Sequence, residues 1–154
     1  MNSRDDAVVG LHISQIDVVG RASFRPLGLM ASAQRFDVEI SGGQTHGARP
    51  WAGVDPIVAG AQIVNGLRTI ASRQIDKTQH PVVVTVGQFE AGVRNKIVPE
   101  TARLSGTIRT FDPNVRGQMH EKIQSIVTQV AASQGATATV DIDPGVPVTY
   151  SMLA

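Results

Sequence analysis

The chain has 154 residues, enough for one ordinary domain with a single core, and its 42% apolar and 18% charged content excludes a disordered polymer. A formal net charge of +1, with both signs mixed along the chain and only 4% aromatic residues, excludes a nucleic-acid surface built on a basic stripe or a stacking platform. The absence of cysteine removes disulfides, thiolate metal ligands and a cysteine nucleophile, and no apolar run approaches the roughly 18 residues of a membrane span, so a cytoplasmic protein is expected.

The first thirty residues carry a short apolar piece over residues 8–13 and then irregular Gly and Pro punctuation, the pattern of an edge segment or of a trimmed neighbour. Regularity begins at "RFDVEIS", where Phe36, Val38 and Ile40 alternate with Arg35, Asp37 and Glu39 in a half-buried strand. The loop "SGGQTHGARPW" follows, and then "DPIVAGAQIVNGLRTIAS", a helix capped by Asp55 with Pro56 in its first turn. Ile57, Ala61, Val64, Leu67 and Ala71 are expected on its buried face. Pro81 opens a β-branched strand, "VVVTVGQFEAG", and "TARLSGTIRTF" sets Leu104, Gly106 and Ile108 against Arg103, Ser105, Thr107 and Arg109, which predicts two antiparallel strands. Asp112 and Pro113 start a second helix with the stripe Val115, Met119, Ile123, Ile126 and Val130; Gly135 ends it, and "ATVDIDP" is the last strand. The order strand, helix, strand, strand, helix, strand predicts an α+β, split β-α-β (ferredoxin-like) sandwich, a four-stranded antiparallel sheet with both helices on one face. The other face carries Arg35, Asp37, Glu39, Arg103, Arg109, Asp141 and Asp143 and is expected to be wet or bound to something.

Four residues stand out. His46 lies among Gly42, Gly43 and Gly47 in a connecting loop, where glycine lets the backbone bring an imidazole close to a ligand; an incidental histidine in a surface turn explains the pattern equally well. Asn95 sits in "EAGVRNKIVPE", longer than the two to five or so residues a hairpin needs, and such loops are either functional or plain solvated connections. Arg109 offers its fork of donors to a carboxylate, or pairs across the sheet with Asp37 or Asp141. His12, in "GLHIS", could ligate a metal, although no other ligand stands at a matching spacing. His80 and His120 read as a loop residue and a solvent-facing helix residue. No nucleophile elbow, phosphate loop or zinc-protease motif is present, so the chain holds no complete catalytic constellation.

The runs "GGQTHGARPWAGVDPIVAGAQIV" and "VGQFEAGVRNKIVPETARLSGTIRTFD" resemble the lid, or dimerisation, domain of the two-metal amidohydrolases and peptidases. That family includes aminoacylases, hippurate hydrolase, indole-acetyl-amino-acid hydrolases and carboxypeptidase G. The resemblance, from about Gly10 to Val146, implies a split β-α-β lid over residues 31–148, with residues 1–30 a junction from the catalytic domain and 149–154 a tail. It implies that His46 reaches into the partner subunit's active site to hold substrate and oxyanion, that Asn95 and Arg109 bind the substrate's carboxylate or carbonyl, and that His12 is one metal ligand. It further implies a homodimer formed through a lid edge strand and helix, N-acyl amino acids or related amides as substrates, and two divalent metals, zinc or manganese, in the intact enzyme. The family's Cys-containing ligand motif, its paired glutamates and its C-terminal histidine have no counterpart, so this chain by itself is expected to hold no two-metal site and not to catalyse. Relatives often carry a second histidine after the proline of the His46 loop; here that place is Trp51. The competing expectation is a stand-alone module of the same fold that binds a small carboxylate or a protein.

Overall fold

The computed structural model describes residues 12, 13, 15, 18–23 and 26–151, so most of the apolar piece at residues 8–13 lies outside the described residues. Its main sheet is antiparallel, in the order β4 (Val82–Ala91), β6 (Thr101–Thr110), β2 (Gln34–Ser41), β7 (Thr137–Ile142), with helices α1 (Pro56–Thr69) and α2 (Pro113–Ser133) packed on it. The expected α+β sandwich is therefore what forms. Two short pairs complete it: β1 (Leu27–Met30) with β8 (Thr149–Ser151), and β3 (Thr45–His46) with β5 (Ile97–Val98). No described helix is long and apolar enough to cross a membrane.

Alternation decides which sheet face is dry. Phe36, Val38 and Ile40 of β2 and Ala102, Leu104 and Ile108 of β6 are buried, while Arg35, Glu39, Arg103 and Arg109 stand on the opposite face in water. Each large buried side chain contributes about 1.5–3 kcal/mol. Both helices start as their sequences dictate: Asp55 accepts from the amides of Ile57 (2.8 Å) and Val58 (3.3 Å), and Asp112 from those of Asn114 (2.8 Å) and Val115 (3.4 Å), each followed by a proline that has no amide to satisfy. Helix α2 closes at Gly135 (φ +75°), where the Ala136 amide donates to Ala131 (2.9 Å) and the Gly135 amide to Ala132 (3.0 Å), a Schellman arrangement.

The buried face of α1 differs from the expected stripe. Ala59, Gly60, Ile63 and Leu67, with Ile70 just beyond the helix, fill the core, whereas Ile57 and Ala61 are exposed. The helix has apolar residues on two flanks, and periodicity alone cannot say which one the sheet takes. His120 departs too: it is half-buried, and its Nε2 lies 2.9 Å from Oε1 of buried Gln34, whose amide donates to the carbonyls of Asp143 (3.0 Å) and Pro144 (3.3 Å). Desolvation, helped by the nearby Arg116 charge, lowers the His120 pKa below its ordinary 6.5. The folded state thus favours neutral His120, so its stabilisation is present above that ordinary value and is lost as pH falls through the folded one. Replacing His120 with Gln, which can still donate to Gln34, should flatten the fall of the urea midpoint between neutral and mildly acidic pH; an unchanged slope would show that other groups set it.

Candidate functional site

The His46 loop is closed at its base, where Gly43 and Val54 exchange two backbone hydrogen bonds of 2.8 and 3.0 Å. Its outer side is braced by pairing with the excursion between β4 and β6: Thr45 stands opposite Val98, His46 opposite Ile97, and the Gly47 amide donates to the Lys96 carbonyl at 2.8 Å. The long connection therefore exists to carry β5, which holds the histidine loop in place. The Ala48 amide donates to His46 Nδ1 at 3.0 Å, so neutral His46 carries its proton on Nε2 and presents an exposed donor. Asn95 is exposed in the turn that the Ile97 amide closes onto the Arg94 carbonyl at 3.2 Å. The fold thus brings His46 and Asn95 to paired loops at one end of the sheet.

Arg109 is at the other end. Ala102, level with Ile40 and Ala91, lies near the start of β6 beside those loops, and Arg109 lies seven residues further along, opposite Val83, which is about 24 Å of strand. The predicted pairing of Arg109 with Asp37 or Asp141 is absent: among the described residues Arg109 makes no ion pair. Asp37 is taken instead by Arg35 (2.8 Å) and the Ser105 hydroxyl, whose hydrogen bonds hold its carboxyl below the usual range. Between the two ends runs an open polar trough floored by Asp37, Glu39, Arg103, Ser105 and Asp141.

The chain enters and leaves the sandwich at the Arg109 end. Ser32, just after β1, donates its amide to the Thr110 carbonyl at 2.9 Å, Ala33 bridges Val146, and Tyr150 of β8 reaches the Phe111 carbonyl at 3.5 Å. His12, upstream of this junction, is exposed. A two-metal centre needs several histidines and carboxylates converging on its ions. Among the described residues no three such side chains group together. The donors among the described residues do not by themselves make such a centre.

The β3–β5 pairing escaped sequence reasoning. The signal was the adjacent β-branched pair Ile97 and Val98 late in the long connection.

Comparison with known proteins places this geometry. Residues 31–135 match the peptidase dimerisation domain of the M20 type. The chain is 37% identical to the N-acetyl-L-cysteine deacetylase of Bacillus subtilis over 92% of its own length and 34% of the relative's. It is 34% identical to thermostable carboxypeptidase 2 of Saccharolobus solfataricus over 95% of its length and 37% of that enzyme's. It superimposes on a dinuclear metal-binding peptidase of the M20 family from Bacillus subtilis with a TM-score of 0.64 at 28% identity, covering 82% of this chain and 30% of that one. The chain spans about a third of the length of the curated relatives it matches. With strands β2 to β6, both helices and the histidine loop inside the matched residues, the chain belongs to the peptidase dimerisation domain family of the M20 amidohydrolases and peptidases.

Proposed function

We propose that the domain is the lid and dimerisation unit of a metal-dependent amidohydrolase acting on N-acyl amino acids or related amides, and that it supplies His46 and Asn95 to the active site of a partner subunit. The observation that carries this reading is the placement of the two ends. Any chain outside residues 27–151 joins the sandwich at the Arg109 end, so a catalytic body attached there lies about 24 Å of strand away from its own His46. That separation supports a histidine that serves a site on another subunit.

Two edges could pair, β4 and β7, and the flanking helices distinguish them. Beside β4 runs the exposed flank of α1 with Ile57 and Ala61, next to Phe89 of β4, whose ring packs on Gly60. Beside β7 the α2 flank carries Gln124 and Thr128. The apolar β4 and α1 edge suits an isologous contact that extends the sheet across a two-fold axis. Antiparallel pairing of β4 with its copy sets the His46 end of one lid beside the Arg109 end of the other. One composite site would then hold His46 Nε2–H and Asn95 from one subunit, as donors to a developing oxyanion or substrate carbonyl, and Arg109 from the other, as a fork for the substrate carboxylate. Zinc or manganese, held by the remainder of the longer enzyme, would activate the water.

Light scattering over a concentration series tests the pairing. The chain is expected to dimerise, and Ile57→Glu, which suits the first helical turn, should raise the dimer dissociation constant at least about tenfold while leaving the fold intact. A monomer at every concentration would instead favour the stand-alone carboxylate-binding module, for which Arg109, without an ion pair among the described residues, is the supporting feature.

A further inference from the structure

We infer that Trp51 is a specificity-determining residue, the apolar wall that selects substrates with an aromatic or long aliphatic acyl group. This rests on the reading of His46 and Asn95 as substrate-facing. Trp51 is the chain's single tryptophan, and 80% of its surface is exposed. Such exposure leaves a large apolar ring without a partner, and slack in the loop does not explain it. The turn Pro50–Ala52 that carries the ring is fastened on both sides: the Arg49 amide donates to the His46 carbonyl at 2.7 Å, the Thr45 hydroxyl to the Arg49 carbonyl at 3.1 Å, and the Ala52 amide to that same carbonyl at 3.0 Å. The backbone that carries the indole is therefore held at a set position relative to the His46 backbone, one turn along a loop whose base is closed by Gly43 and Val54. On the opposing loop Val93, two residues before Asn95, is 97% exposed. The polar pair is thus flanked in sequence by two bare apolar side chains, one on each of the two paired loops. An N-acyl amino acid has the matching chemistry: a polar amide for the two donors, with an apolar group on its acyl side that needs a dry surface. A broad aromatic face fits a phenylacetyl, indolyl or medium-chain acyl group better than an acetyl group, which is too small to cover it.

The single indole makes the test direct. In a 15N-labelled sample of the chain, the Trp51 Nε1–H resonance and the backbone amides of His46 and Asn95 are followed during titration with N-acetylglycine and with N-phenylacetylglycine. Both ligands should move the His46 and Asn95 amides. Only the phenylacetyl compound should move the indole, and it should bind about three- to tenfold more tightly, the increment expected of an aromatic pair. Trp51→Ala should remove that increment and leave N-acetylglycine binding unchanged, which a merely structural role would not do. Movement of the His46 and Asn95 amides with equal affinities and a still indole would overturn the role of Trp51 and leave the substrate-facing reading standing. No movement at any of the three residues, up to the solubility of both ligands, would overturn that reading and the inference with it.

Discussion

Subunits carrying His46→Ala and subunits carrying Arg109→Ala, each impaired as a homodimer, are expected to regain activity when mixed. Placed in the frame of a full-length two-metal relative, His46→Ala should cost roughly 100- to 1,000-fold in kcat through the lost oxyanion donor, and Arg109→Ala about 10- to 100-fold through the lost carboxylate fork. In a mixed dimer one composite site takes the intact Arg109 of the first subunit and the intact His46 of the second, while the other site has lost both. Random exchange makes half of the dimers mixed, each with one good site, so the mixture should recover about a quarter of wild-type activity. If each His46 served its own subunit, every site in every dimer would lack one group and no activity would return. The measurement is kcat of the mixture after subunit exchange, compared with each variant alone.

The largest effect on stability is expected at Gly106. It sits mid-strand in β6, opposite Phe36 on β2 and Val86 on β4, and a methyl group there would overlap both the Phe36 ring and the Thr85 carbonyl oxygen. The first neighbour is a fully buried core ring and the second is backbone, so neither can yield without moving the sheet. Gly106→Ala should cost about 3 kcal/mol or more, seen as a lower urea midpoint with an unchanged slope. Gly87, at the bulge in the adjacent strand, is the internal comparison: it meets nothing within 4 Å and its φ lies outside the left-handed region. Gly87→Ala should be neutral or stabilising by up to about 1 kcal/mol, because alanine narrows the unfolded ensemble without a clash. Equal losses at the two glycines would mean that strand propensity, rather than close approach, governs both.

The contrast between those glycines marks a general boundary. The alternation in "RFDVEIS" and "TARLSGTIRTF" was enough to assign both strands and their wet faces, because a period of two leaves one consistent way to place apolar residues inward. The Asp-Pro pairs were enough to start both helices, since capping is a local hydrogen-bonding problem solved within three residues. Helix α1 exceeds what such reasoning can reach. Its two apolar flanks are equivalent along the sequence, and only the sheet beneath it decides that Ala59, Gly60, Ile63 and Leu67 turn inward while Ile57 and Ala61 stay exposed.

His46, Asn95 and Arg109 follow the same division. Their residue types, and a likeness to known lids, singled them out in the sequence, because glycine-rich loops and over-long connections are visible as composition. Their grouping was not visible, because it depends on contacts between distant segments: the pairing of residues 45–46 with 97–98, and the length of β6 between Ala102 and Arg109. Local chemistry, written in neighbouring residues, therefore determined the elements, the caps and the candidate side chains. Only the tertiary structure decided that His46 and Asn95 share one end of the sheet, and that the chain joins the sandwich at the other, because strand pairing and register arise from long-range packing that no short window of sequence contains.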